Sequence, residues 1–358
     1  VAGDPFALLR ARLGPTIEPF ELPFCGGAIG AFSYDLVRRW ESLPVRAARD
    51  IEVPEMAVGI YDRALVVDHL EQRAWFVHRG LPAVAVAEAL ALIAVPRTLT
   101  PAVLAPAFVV TSAVAPDLRF DEYAAAFARI KRYLADGDCY QVNYTQRFSA
   151  RAAGDPFDAY LRLRRLNPAP FAAFMRLPEA ALLSSSPERF IEIRGRAIET
   201  RPIKGTRPRG ADEAQDNALA AELAASAKDR AENVMIVDLL RNDLGKSCAT
   251  GSVAVPALCE VESYARVHHL VSRVRGELRD DVDALEALRG CFPGGSITGA
   301  PKLRAMEIIE ELEPTRRGIY CGAIGYLSAD GQMDTNIAIR TLLYQQERLY
   351  CWAGGGIR

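Results

Sequence analysis

The chain has 358 residues, half of them hydrophobic and a quarter charged, which suits one large or two smaller globular domains whose core needs no covalent staple. Its 43 basic and 45 acidic side chains leave a formal net charge of -2, which argues against nucleic-acid binding through global charge but leaves room for a small basic pocket. Seven cysteines without a CxxC pair read as reduced thiols of a cytoplasmic protein, four histidines are too few for a His-rich zinc centre, and neither a signal peptide nor the ~20-residue apolar run of a membrane span is visible.

After Gly26-Gly27, the run Ala28 to Tyr34 predicts a short strand. Residues 64–68 and 73–78 predict a hairpin around Glu71-Gln72, and residues 84–94 an alanine-rich helix. Pro96, Pro101, Pro106 and Pro116 then interrupt a stretch of few charges, which marks an extended linker or edge strand and a boundary near 96–116. Phe120, Tyr123, Phe127, Ile130 and Leu134 recur at helical spacing. From Cys139 to Phe148 the residues alternate, with Gln141, Asn143, Thr145 and Arg147 on one face of a strand. Strands are expected over 182–193 and 197–203, helix over 211–244 with one break, and a strand over 267–278. Residues 301–313 predict a helix striped by Ala305, Ile308, Ile309 and Leu312. A hairpin around Asp330-Gly331 should join 319–327 to 333–344, and 349–353 adds a strand. Hairpins together with long helices make this an α+β protein with mainly antiparallel sheets.

Two segments suggest anion binding. Residues 201–210 pack Arg201, Lys204, Arg207 and Arg209 into a loop stiffened by Pro202 and Pro208, which suits a carboxylate or phosphate ligand. Like charges around Lys204 should lower its pKa and make it a nucleophile, although a solvated basic loop is the plainer alternative. Residues 292–302 form a glycine-rich turn leading into a helix, where Ser296, Thr298 and free N–H groups could meet an anion. The phosphate-loop pattern fails there, because Ala300 stands where that motif needs lysine. Glu232 precedes Met235, Ile236, Leu239 and Leu240 at helical spacing, so it is expected on an apolar stripe, where a carboxylate needs a partner, a proton or a metal such as Mg2+. His269 lies in the strand at 267–278, and Arg340 is expected beside Asn336 and Ala338 on one face of the last long strand, where an inward arginine meets an anion or a carboxylate.

Together the segments DCYQVNYTQRF, SSSPERF, RPIKGTRPRG, AENVMIVDLLRNDLGKSC, VHHLVSRVRGEL, FPGGSITGAPKLRAMEIIEELEP, RRGIYCGAIGYLS and NIAIRTL closely resemble the chorismate-utilising enzymes. The resemblance runs from about residue 120 to the end, with a weaker match at Ile29 to Trp40. It implies antiparallel sheets packed face to face and flanked by helices. It also implies a partial N-terminal region over 1–115 and a catalytic region over 116–358, together one interwoven unit. Within the family, anthranilate-forming members resemble Pro-Ile-Ala-Gly-Thr in the basic loop, and aminodeoxychorismate-forming members resemble the Pro-Ile-Lys-Gly-Thr found at Pro202 to Thr206. The resemblance thus implies that Lys204 adds to C2 of chorismate as the C4 hydroxyl departs, before ammonia from a glutamine amidotransferase adds at C4. Gln141 stands where water-adding members carry a basic lysine. Glu188 is similar to the general acid/base and His269 to the site histidine. Glu232 is similar to a Mg2+ ligand. Thr206, Ser296, Tyr320, Arg340, Gly354, Gly355 and Gly356 are similar to the substrate-binding set, with Arg340 bidentate on the enolpyruvyl carboxylate.

One departure bears on the metal. In the family a second magnesium-ligating glutamate follows the glycine run, whereas this sequence stops at Arg358, so weak Mg2+ binding by a fragment cut at both ends is the expectation. The alternatives are an anthranilate synthase component and a non-catalytic binder of chorismate or tryptophan.

Overall fold

The computed structural model describes residues 3–94 and 107–358. Two large antiparallel sheets carry the chain. The first has nine strands, running in the order Ile203–Pro208, Val267–Glu277, Ala197–Thr200, Arg189–Arg194, Met333–Ile337, Ala323–Ser328, Gly27–Phe32 and Met56–Tyr61, with Ala254–Ser263 also paired to Val267–Glu277. The second has eight, ordered Gly299–Ala300, Gln141–Ala153, Arg348–Ile357, Thr341–Gln345, Ala180–Ser186 and Phe171–Arg176, with the short strands Val109–Val110 and Ala115–Pro116 added to Gln141–Ala153.

The sheets pack face to face. Ala31 and Ile324 of the first share one buried cluster with Leu182 and Leu343 of the second. Strands covered on both faces cannot keep a clean polar alternation, and Ala180–Ser186 is buried at every position. Helices cover the outer faces. Ile236, Leu240 and Leu244 of Ala227–Gly245 and Leu285 and Leu288 of Ala284–Cys291 pack with Ile191, Ile193 and Val274 of the first sheet. Ile130 of Phe120–Ala135 and Ile308 and Ile309 of Lys302–Leu312 cover Val142 and Tyr144 of the second. No helix among the described residues is long and apolar enough to cross a membrane.

The strand Gly27–Phe32 pairs with Ala323–Ser328, so segments near opposite ends of the sequence share one sheet. The proline-rich stretch expected as a boundary lies partly outside the described residues, and its later part forms edge strands on Gln141–Ala153. Three expectations need correction. The single strand over 182–193 is two strands, broken at Pro187-Glu188. The strand over 333–344 is likewise two, broken between Ile337 and Thr341. The strand Ala254–Ser263 has no counterpart in the sequence reading: Val255, Ala257, Cys259 and Val261 do alternate inward, but Pro256 and the alanines make a weak strand signal.

Candidate active site

The two broken strands build the centre of the site. Ala180–Ser186 belongs to the second sheet and Arg189–Arg194 to the first, so the chain changes sheet at Pro187-Glu188. Met333–Ile337 and Thr341–Gln345 make the opposite change alongside, because these strands are the hydrogen-bonded neighbours of the first pair. Ser186 Oγ ties the two crossings by donating to Ile337 O at 2.6 Å, while Ile337 N donates to Glu188 O at 3.0 Å. Glu188 is buried at 6% exposure in one crossing. Arg340 occupies the other, exposed and at φ 48°, a strained backbone for a side chain with a Cβ. It therefore does not share a regular strand face with Asn336 and Ala338, as the sequence suggested.

Lys204 enters from the edge strand Ile203–Pro208. The register against Val267–Glu277 slips between Ile203 and Thr206, and Gly205 takes φ 79°. Such a bulge re-aims a side chain. Lys204 Nζ donates to Ser296 O at 3.1 Å. Burial lowers the lysine pKa, opposed by Glu188 and assisted by Arg358. Burial likewise raises the Glu188 pKa, against the attraction of Lys204. Ser296 Oγ is buried near that carboxylate but lacks hydrogen-bond geometry to any partner.

The arginines of the basic segment do not crowd Lys204. Arg201 pairs with Glu262, Arg207 with Glu222 at 2.8 Å and Asp229 at 3.2 Å, and Arg209 with Asp216 at 2.6 Å. The expected cationic cluster is therefore neutralised side chain by side chain, and desolvation replaces like charge as the leading cause of the lysine's shift.

Thr206 Oγ1 lies 2.9 Å from His269 Nδ1, and the Tyr264 ring meets the imidazole edge-to-face at 5.5 Å. Burial first, then the Arg340 cation, lowers the His269 pKa and favours neutral imidazole. His269, Arg340, Tyr264, Pro187 and Asn167 border a pocket of about 60 Å3. Tyr264 was invisible to sequence reasoning, because it sits in the turn after the unforeseen strand. A cavity of about 640 Å3 lies nearby, between Phe171, Met175, Ile324 and Asp334, and shares Pro187 and Tyr264 with this pocket.

The glycine run forms a floor. Arg348–Ile357 pairs with Gln141–Ala153, placing Gly354, Gly355 and Gly356 opposite Thr145, Tyr144 and Asn143. A Cβ on Gly354 would come 2.2 Å from Tyr144 O, and one on Gly356 would come 2.9 Å from Gln141 Cδ. Gly354 and Gly356 share the strand face of Gln141, whereas Gly355 lies on the opposite face with Ile357, where a Cβ would meet nothing within 4 Å. The Gln141 amide is buried beside Gly356, and its Nε2 has no partner.

Glu232 corrects the sequence reading. The buried stripe of its helix contains Asn233, Ile236, Val237, Leu240 and Leu244, one position out of phase with the expected stripe. Glu232 is 22% exposed and ion-paired to Arg358. No group of three His, Cys, Asp or Glu side chains among the described residues is arranged to hold a metal ion. One hard carboxylate nonetheless fits Mg2+, which uses one or two carboxylates and completes its shell with water and substrate oxygens. Tyr320 stands apart from the other predicted residues: its buried ring stacks on Trp352 at 5.5 Å.

This arrangement of paired sheets, sheet-changing strands and an acid–lysine pair defines a class of enzyme. A family model described as chorismate binding enzyme matches residues 4–358, and the chain belongs to that family. It is 52% identical over 361 residues to aminodeoxychorismate synthase component 1 of Klebsiella aerogenes, covering 99% of this chain and 78% of that one. It is 50% identical over 372 residues to the protein of the same name from Escherichia coli (strain K12), covering 99% and 77%. Among solved structures, anthranilate synthase component I from Streptococcus pneumoniae TIGR4 superimposes with a TM-score of 0.89 at 33% identity, over 100% of this chain and 81% of that one.

Proposed function

We propose that the chain is the chorismate-aminating component of an aminodeoxychorismate synthase. It converts chorismate and ammonia to 4-amino-4-deoxychorismate through covalent addition of Lys204. The carrying observation is Lys204, held on Ser296 O at 3.1 Å, in the same site as the buried Glu188, in surroundings that favour the neutral amine of one and the neutral acid of the other. A neutral amine can attack, and a protonated carboxyl can give its proton to a departing hydroxyl.

In the first step the Lys204 lone pair forms a bond to C2 of chorismate. The ring double bonds shift, the C4–O bond breaks, and the hydroxyl leaves as water with the Glu188 proton. The new secondary amine gives up its extra proton, and Glu188 is the nearby acceptor. In the second step ammonia bonds to C4, the C2–N bond breaks, and Lys204 leaves as an amine after protonation. Gln141 is an amide and cannot act as a general base, which disfavours water as the attacking group. Arg340 pairs with the enolpyruvyl carboxylate, while neutral His269, Thr206, Ser296 and the floor at Gly354 to Gly356 position the ring. Glu232 would hold Mg2+, which supplies positive charge to the ring carboxylate. Holding a dianion against a nucleophile and an acid provides proximity and charge complementarity together.

The component naming of the relatives supports a partner component, and we assign it as a glutamine amidotransferase that delivers ammonia in the cytoplasm. The test incubates the protein with chorismate, Mg2+ and ammonium at high pH and weighs the product. 4-Amino-4-deoxychorismate is expected. Anthranilate or unchanged chorismate would overturn the reading.

A further inference from the structure

Ser296 O accepts from Lys204 Nζ, and Ser296 lies between the helices Ala284–Cys291 and Lys302–Leu312, in a segment with one 3-10 turn, Gly295–Ile297, and the two-residue strand Gly299–Ala300. That strand ties the segment's later half to Gln141–Ala153, and its entrance needs a tie of its own. Lys302, at its exit, is only 11% exposed. All three of its N–H donors are used: Nζ donates to Cys291 O at 2.8 Å and Pro293 O at 2.8 Å, both at the loop's entrance, and to Asp243 Oδ2 at 2.6 Å. The ammonium therefore closes the loop on itself and fixes it to the helix Ala227–Gly245.

Asp243 is wholly buried and pairs through its other oxygen with the half-exposed Lys246 at 3.1 Å. Other loop carbonyls are also occupied. Ile297 O accepts from Asn143 Nδ2 at 3.1 Å and from Arg317 Nη1 at 2.8 Å, and Gly294 O accepts from Thr298 Oγ1 at 3.1 Å. Ser296 O, by contrast, is turned towards the lysine. An amine that donates one N–H to a fixed carbonyl has its lone pair restricted to the two remaining tetrahedral directions.

We infer that Lys302, anchored by Asp243, is a positioning residue for the amination step: it fixes the Ser296 carbonyl that aims the Lys204 lone pair at the substrate. It touches neither substrate nor reacting atoms, and the inference rests on the function proposed above. A misplacement of about 1 Å at a nucleophile can cost about 10²-fold in rate.

The experiment measures kcat and KM for chorismate with saturating ammonium, in wild type, Lys302→Met, Asp243→Asn and Lys246→Met. Lys302→Met is expected to lower kcat by about 10²-fold while KM changes by less than about threefold, since orientation rather than binding is lost. Its kcat–pH profile should also move to higher pH, because a loosened loop admits water to Lys204, whose charged neighbours are Glu188 and Arg358. Lys246→Met, which removes the outer partner of the same carboxylate, should leave kcat within about twofold. If Lys302→Met folds poorly by thermal melting, Asp243→Asn keeps the shape while removing the charge, and a kcat loss of about tenfold is expected of it. A folded Lys302→Met or Asp243→Asn enzyme with wild-type kcat and pH profile overturns the inference, as does a loss confined to KM. Failure of the wild type to make 4-amino-4-deoxychorismate would instead overturn the functional reading.

Discussion

The basic segment Arg201 to Gly210 and the glycine-rich segment Phe292 to Lys302 look alike in sequence, since each reads as a place for an anion. In the structure they do opposite things. The first neutralises its arginines on Glu262, Glu222, Asp229 and Asp216, and a bulge sends its lysine inward. The second offers that lysine a carbonyl oxygen rather than offering a substrate N–H groups, and buries its own lysine as a clasp. Charge density therefore did not make the site. Backbone irregularity did, by selecting which polar group faces inward and leaving the remaining charges to hold the wall.

Lys204→Ala is the hardest test of that contrast. Amination should fall by about 10⁴-fold or more, since no other side chain of the segment can replace the nucleophile. Retained amination would return the segment to a mere electrostatic surface. Glu188→Gln should cost about 10²–10⁴-fold and also change the pH dependence. The wild-type rate rises with pH as Lys204 loses its proton, below the ordinary lysine value, and falls once Glu188 loses its proton, above the ordinary glutamate value. These limbs belong to the coupled pair. The glutamine variant should lose the alkaline limb, and a pH series of initial rates would detect its persistence.

The glycine floor sharpens the comparison at a third wall. Gly356→Ala brings its methyl group within 2.9 Å of the buried Gln141 amide and should raise the chorismate KM by about tenfold. Gly354→Ala drives its methyl group into Tyr144 O and should cost about 1–3 kcal/mol of stability. Melting curves and KM values for both would expose an inverted order. Arg207→Gln is the smallest effect. Its partners are carboxylates of neighbouring helices, so stability should change by no more than about 1 kcal/mol and kcat by little. A large kcat loss would mean that the segment's charge acts on the substrate after all.

Much of the fold was legible because its signals are local. The hairpin Arg63–Asp68 with Arg73–His78 and the helices ending at Ala94, Ala135 and Leu312 follow from period, turn chemistry and a terminating proline. The sheet changes at Glu188 and Arg340 were not legible. Strand-forming residues continue through the second, Pro187 signals a break at the first, and in both only long-range pairing decides which sheet each half joins. Glu232 was placed one position off because apolar residues on its helix allow two overlapping stripes, and packing selects the one through Asn233. Lys204 was found from its sequence, but its surroundings were misread. The carboxylates that silence Arg207 and Arg209 come from helical residues 216, 222 and 229, which no local pattern brings to that edge.

The pairing of Gly27–Phe32 with Ala323–Ser328 has a consequence for how this enzyme comes into being. That contact closes a chain loop nearly as long as the molecule, and the two crossings beside it need both sheets in place before Glu188 and Arg340 can stand together. Loop-closure entropy must be overcome before such distant pairing is rewarded. Recovery of secondary structure after dilution from denaturant should therefore run well ahead of recovery of turnover, and a nascent chain should be inert until its last strands emerge.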